Sequence, residues 1–168
     1  MILIEFEQYL NSLYQQIAQQ INDMIPVEWD EIYFNGEVKD GEGGVYFFFS
    51  TPDDKGVYKY SHFIPRLYDV DKRMYNKFLH ELFELTDKLQ KVFINNDQEP
   101  WFSVTMIVNS EGKLKVHFDY INWTKSEFGP SDRVEYFQYK YFDRKSEHEK
   151  NRELINKMQQ YEEKFTNI

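Results

Sequence analysis

Apolar residues in the first 24 positions recur with the spacing of an amphipathic helix. They stand at three- and four-residue intervals opposite a face rich in Gln and Asn, and they are Phe6, Leu10, Leu13, Ile17, Ile21 and Met24. Pro26 cannot continue such a helix, because it lacks the N–H that a helical hydrogen bond needs. The pattern therefore predicts a helix from about Ile4 to Met24.

Three segments rich in aromatic and β-branched residues follow, and turn-forming residues separate them. The segments are Val27–Lys39, Val45–Thr51 and Val57–Ile64, with turns at residues 40–44 and 52–56. We interpret the three segments as an antiparallel meander.

A second amphipathic helix is predicted from about Asp71 to Asn95, with Asp71 as its N-cap. Its apolar positions are Met74 or Tyr75, Phe78, Leu82, Leu85, Leu89, and Val92 or Phe93. Beyond it, Pro100 opens a strand that continues to Val108, and residues 109–112 form a hairpin loop. In the return strand Leu114, Val116, Phe118 and Tyr120 alternate with Lys113, Lys115, His117 and Asp119, which predicts one buried and one solvated face.

The C-terminal residues carry two more candidate elements. Six apolar or aromatic side chains crowd Ser131–Phe142, where a helix is favoured and a strand also fits. A capping box of Ser146 and Glu149 then begins a helix whose stripe is Leu154, Met158, Tyr161 and Phe165. The predicted order is α-βββ-α-ββ-(α)-α. This is an α+β fold with a mostly antiparallel sheet of about five strands and three to four helices, in a single domain of residues 1–168.

Composition narrows the functional classes. The chain has 168 residues, enough for one sizeable core, and no cysteine, which fits a reducing compartment. No segment approaches the roughly 20 apolar residues of a membrane span, and Met1–Glu5 lacks the basic leader of a signal peptide. We therefore expect a cytoplasmic protein without a membrane partner. The net charge of −9 disfavours direct nucleic-acid binding and would steer a basic protein towards the chain.

Motifs for catalysis and metal binding are weak. The four histidines, His62, His80, His117 and His148, are not at ligand spacing from suitable partners. His117 and Asp119 share one strand face and could supply two metal ligands, although the alternation of an exposed strand accounts for both. There is no serine-nucleophile motif and no phosphate-binding loop. We expect no enzymatic activity, no cofactor and no bound metal.

One region of the chain has an unusual excess of acidic residues. Between Val27 and Asp54 a single base, Lys39, stands among eight acids: Glu28, Asp30, Glu31, Glu37, Asp40, Glu42, Asp53 and Asp54. Aromatic residues interleave them, namely Trp29, Tyr33, Phe34 and Tyr46. Aromatic anchors with flanking acids suit an interface with a basic partner. Each aromatic taken alone is more often a core residue, and the acids fit a solvated rim equally well.

The motifs that carry a family resemblance extend over nearly the whole chain. They are Ile25–Trp29, the Gly41–Phe49 turn and strand, Glu99-Pro100-Trp101, Lys115–Trp123, Ser126–Pro130, Arg133 and Tyr139-Lys140-Tyr141. In this order they resemble the YezG/EsaG-like family of bacterial antitoxins, which are immunity proteins to secreted nuclease toxins.

The resemblance implies a non-enzymatic α+β immunity protein whose partner is the nuclease domain of an exported toxin. Because a nuclease presents a basic cleft to its substrate, we hypothesise an acidic toxin-binding surface. Its candidate residues are Glu37, Asp40, Glu42, Asp53, Asp54, Asp119, Trp123 and Glu127. Trp101 and Phe118 are expected to serve folding instead. The alternatives are a general acidic interaction module without a toxin and a metal-dependent hydrolase that uses His117 and Asp119. The oligomeric state stays open.

Overall fold

The computed structural model describes residues 2–142 and 151–166, and the chain forms two compact units. The N-terminal unit is Met1–Tyr120 and the C-terminal unit is Ile121–Ile168. A single domain of residues 1–168 stays a prediction. None of the described helices is long and apolar enough to cross a membrane.

The N-terminal unit is built on an antiparallel sheet of five strands. Its elements in chain order are α1 (Ile2–Met24), β1 (Glu31–Lys39), β2 (Glu42–Thr51), β3 (Asp54–Tyr60), α2 (Ile64–Tyr68), α3 (Lys72–Asn95), β4 (Ser103–Asn109) and β5 (Leu114–Asp119). The strand order is β3-β2-β1-β4-β5, so β1 is central. The α+β class, the antiparallel sheet and its five strands are confirmed.

The main core lies between one face of this sheet and the helices α1 and α3. Alternate residues of β1, such as Ile32, Phe34 and Val38, are fully buried there. The predicted α1 stripe packs against them through Leu13 and Ile17. In α3 the stripe passes through Tyr75 rather than Met74, which is exposed. The Asp71 carboxylate accepts a hydrogen bond from the Met74 N–H, which confirms Asp71 as the N-cap.

The C-terminal unit contains the helices α4 (Pro130–Phe142) and α5 (Arg152–Thr166). Ser131–Phe142 is therefore a helix and not a strand. In α5 the buried positions are Ile155 and Met158, while Phe165 is exposed. The predicted capping box of Ser146 and Glu149 lies outside the described residues.

Several predicted boundaries are wrong, and each has a local cause. The third strand ends at Tyr60, because a 3₁₀ turn (Ser61–Phe63) leads directly into α2. This one-turn helix was not predicted, and it brings the described α-helices to five rather than three to four. Pro100 does not open β4, which begins at Ser103.

The predicted burial of one β5 face is only partly correct. Val116 and Phe118 are half-buried, but Leu114 and Tyr120 are exposed. The reason is that β5 is an edge strand, with β4 as its one neighbour in the sheet.

The central strand and α3 approach so closely at Gly36 that a larger residue does not fit. A Cβ atom there would lie 2.6 Å from the Thr86 Cγ2 atom of α3. We expect Gly36→Ala to reduce the free energy of unfolding by about 1–3 kcal/mol, measured by urea denaturation. Thr86→Ser removes the opposing methyl group, so the double variant should recover part of the loss. Purely additive effects of the two substitutions would contradict this contact.

Candidate functional site

The tip of the hairpin between β1 and β2 carries two exposed acids. Its turn consists of Asp40 and Gly41, both with positive φ (54° and 79°), as a tight two-residue hairpin requires. Glu42 is therefore the first residue of β2 and lies opposite Lys39. The Asp40 and Glu42 carboxylates make no hydrogen bond or ion pair with another residue in the described part of the chain.

Glu37 and Asp119 lie nearer the middle of the same sheet, in one row across three strands. Glu37 of β1 pairs with Ser103 of β4, and Ser103 pairs with Asp119 of β5. Paired residues point to the same face, so the two carboxylates share the face opposite the main core, about 10 Å apart. Both are half-buried. The structure thus brings Glu37, Asp40, Glu42 and Asp119 to one end of the sheet, which we call the hairpin end.

Asp53 and Asp54 occupy the opposite end of the sheet. They belong to the turn between β2 and β3, where Thr51 pairs with Asp54. A hydrogen bond from the Thr51 side chain lowers the pKa of the exposed Asp53 carboxyl, so it stays charged to lower pH. Because β2 has ten residues, roughly 30 Å separate these acids from Glu42. The eight acids of Val27–Asp54 therefore do not form one patch.

The acids at that far end have partners within the protein. The Asp30 carboxylate lies 4.0 Å from the Lys55 ammonium, and the Tyr58 hydroxyl donates to the Glu31 carboxylate at 2.8 Å. Burial, followed by this hydrogen bond, raises the pKa of Tyr58. Asp30 and Glu31 are therefore less available to a basic partner than Asp40 and Glu42.

Trp123 is a core residue of the C-terminal unit. It is 5% exposed, and its ring lies 5.1 Å from that of Tyr161 and 5.9 Å from that of Tyr136. This burial speaks against direct contact between Trp123 and a partner, and it corrects the placement of this residue on a binding surface. Glu127 is exposed in the following loop.

Around Trp123, the motif residues fix the loop that leads into α4. The Phe128 N–H donates to the Ser126 hydroxyl at 3.1 Å, and the Arg133 guanidinium donates to the Phe128 carbonyl at 2.8 Å. The Gly129 N–H is bound by the Asp132 carboxylate at 3.0 Å. A role in folding is therefore sufficient to explain why Ser126, Phe128 and Arg133 belong to the motif.

The histidines do not assemble a metal site among the described residues. His117 and Asp119 share a strand face as predicted, but no group of three His, Asp or Glu side chains is close enough to hold an ion within residues 2–142 and 151–166. The His62 ring stacks on Tyr60 with 4.7 Å between centroids, and burial lowers its pKa. His148 lies outside the described residues.

Gln90 supports the hairpin end, and sequence reasoning missed it. Its buried amide donates to the Val38 carbonyl at 2.9 Å and to the Trp101 carbonyl at 2.6 Å. These two hydrogen bonds connect α3 to the C-terminal end of β1 and to the residues just before β4. A polar residue between the apolar positions Leu89 and Val92 was the available signal.

Most of the aromatic residues among the acids serve the fold, which is the role that the sequence favoured for each of them taken singly. Phe34 and Tyr46 are buried, and Trp29 and Tyr33 are half-buried. Trp101 and Phe118 pack together with 5.4 Å between ring centroids, which confirms their expected role in folding.

Comparison with known proteins identifies the family. The family model described as immunity protein YezG-like matches residues 10–156. The chain is 35% identical to the type VII secretion system protein EsaG of Staphylococcus aureus (strain NCTC 8325 / PS 47), over 93% of this chain and 95% of that protein. It is 35% identical to immunity protein YezG of Bacillus spizizenii, over 78% and 81%. It is 32% identical to immunity protein YezG of Bacillus subtilis (strain 168), over 87% and 96%. The chain therefore belongs to the YezG-like family of immunity proteins.

Proposed function

We propose that this protein is the antitoxin of a secreted nuclease toxin and neutralises it by binding the nuclease domain in the producing cell's cytoplasm. The relative named for type VII secretion supports an exported toxin as the partner. The protein inhibits the nuclease domain by binding to it and not by catalysing a reaction.

The observation that carries the binding site is the exposed acidic tip of the β1–β2 hairpin. Asp40 and Glu42 project from a tight turn and have no ion pair with another described residue. A nuclease must hold phosphate, so its cleft is basic. The tip places two exposed carboxylates where they can enter or cover such a cleft, with Glu37 and Asp119 extending the charge along the sheet.

Charge reversal at the tip tests this proposal. We expect Asp40→Lys with Glu42→Lys to slow association with the cognate nuclease domain by about tenfold or more at low salt, because steering is lost. The remaining rate should depend less on salt than that of the unaltered protein. Stopped-flow association and DNA cleavage across a salt series measure both effects.

Two variants of equal charge change serve as controls. Asp53→Lys with Asp54→Lys alters the opposite end of the sheet, and Glu5→Lys with Glu7→Lys alters exposed positions of α1. Each pair raises the net charge from −9 to −5, since every reversal adds two charges. Only the tip variant should lose neutralisation. If all three variants behave alike, total charge and not the tip governs association.

Co-expression separates the antitoxin from a general acidic interaction module. Cells that make the nuclease domain should grow when this protein is present, and the two should co-purify. Binding to unrelated basic proteins with equal strength, without rescue, would favour the general module.

A further inference from the structure

The outer edge of β5 is open in the part of the chain that the structure describes. β5 ends the sheet, and β4 is its one neighbour. An unpaired strand edge presents backbone N–H and C=O groups that can add a further strand.

The register identifies which backbone groups face outward. The Asn109 N–H donates to the Lys113 carbonyl at 3.1 Å, and the Phe102 N–H donates to the Asp119 carbonyl at 2.8 Å. Because the hydrogen-bonding direction alternates along a strand, the odd-numbered residues of β5 face β4. The N–H and C=O groups of Leu114, Val116 and Phe118 therefore face the open edge.

A groove opens at the Leu114 end of this edge, on the helix-covered face of the sheet. Its volume is about 520 Å³, and its lining is mixed: Tyr14 and Ala18 of α1, Trp29, Val108 and Leu114 lie beside the polar residues Gln15, Gln19, Asn22, Asn109 and Ser110. Leu114 is 39% exposed, although its side chain points to the core face. The groove can receive an apolar side chain that an added strand places beside Leu114.

The other face of β5 carries more bases than acids, although the protein as a whole is acidic. Lys113, Lys115 and His117 are exposed along it, the Lys113 ammonium lies 3.8 Å from the Glu111 carboxylate, and the half-buried Asp119 ends the row. Lysines on an edge strand repel a second copy of the same strand and so disfavour self-association. The same charges attract acidic side chains on a foreign strand.

We propose that the β5 edge binds an extended segment of another protein, in which apolar residues alternate with acidic ones. The segment adds a sixth strand by pairing with the backbone of Leu114, Val116 and Phe118. One of its apolar side chains enters the groove beside Leu114, the others lie next to Val116 and Phe118, and its acids face Lys115 and His117. Backbone pairing supplies affinity, and the two faces supply specificity.

Amide hydrogen exchange with a model peptide tests this site. The probe is an eight-residue peptide that alternates glutamate and valine, with capped ends, added to the full-length protein. We expect exchange at Leu114, Val116 and Phe118 to slow about fivefold or more. Exchange at Lys115 and His117 should stay unchanged, because β4 already protects those amides. The matched control peptide has lysine in place of glutamate and should give no protection.

A proline variant tests the same pairing independently. Val116→Pro removes an N–H that no strand of this protein uses, so the fold should survive, whereas the peptide should bind about tenfold more weakly. Val116→Ala keeps the N–H and should retain binding. Should the proline variant unfold, the exchange pattern alone decides.

Protection that is absent, equal for both peptides, or not alternating along β5 would overturn the proposal. The probe contains no toxin, so a negative result leaves binding through the hairpin tip untouched. Conversely, failure of the nuclease to bind leaves the peptide result intact.

Discussion

Replacing Gly43 by alanine is expected to lower the free energy of unfolding by about 3 kcal/mol or more. A Cβ atom at this position would lie 1.8 Å from the Glu37 carbonyl oxygen and 2.7 Å from its carbon. Both are backbone atoms of the central strand, so neither can rotate away. The hairpin must open or shift its register, and either change displaces the acidic tip. Thermal and urea denaturation measure the loss, with a decrease in Tm on the order of 10 °C.

The adjacent residue gives a matched control. A Cβ atom on Gly44 would meet nothing within 4 Å. Gly44→Ala should therefore change stability by no more than about 0.5 kcal/mol. Equal stabilities of the two alanine variants would contradict the close approach at Gly43. We also expect the Gly43 variant to neutralise the proposed nuclease partner poorly even where it stays folded.

Replacing Gln90 by leucine is expected to cost about 2–4 kcal/mol. The leucine fits the apolar surroundings, but the carbonyls of Val38 and Trp101 both lose a buried donor. Leaving buried acceptors unpaired costs more than the lost hydrogen bonds themselves. Urea denaturation measures the loss, and hydrogen exchange should locate it at the hairpin end of the sheet.

Gln98→Leu is the control for this substitution. Gln98 is exposed just beyond α3, and its amide makes one long hydrogen bond of 3.4 Å to the Asn96 carbonyl. Its replacement should have little effect. A cost for Gln90→Leu as small as that for Gln98→Leu would show that water or rearrangement satisfies the two carbonyls.

Elements with long, regular patterns were predictable from the sequence. The stripes of α1 and α3 run for six or seven turns, and their buried residues follow the helical period. The one-turn α2 has no period to detect, and its apolar residues continue those of β3. Its one local signal was Pro65, which is favoured in the first turn of a helix.

Properties that depend on strand order were not predictable. The alternation in β5 is regular, but the exposure of Leu114 follows from the place of β5 at the sheet edge. That place is decided by pairing with residues far away in the sequence. No local pattern carries this information.

The residue types of the candidate site were predictable from the sequence, but the positions of these residues relative to one another were not. Asp40 and Asp53 are close in sequence, yet an extended strand carries them to opposite ends of the sheet. Tryptophan is a residue type that often anchors an interface, but Trp123 is buried here by packing against Tyr136 and Tyr161. The sequence therefore indicated both acidic turns, but it did not show that they lie at opposite ends of the sheet.

The central position of β1 has a consequence for synthesis on the ribosome. β1 pairs with β2 across a two-residue turn, but its residues pair with β4 residues about 70 positions away, as Phe34 does with Met106. At roughly 5–20 residues per second, about 4–14 s pass between the emergence of these two strands. During that interval the nascent meander exposes the backbone edge of β1 that later pairs with β4. The emerging helix α3 can cover the core face of β1 but not that edge, which stays able to pair with another chain until β4 arrives.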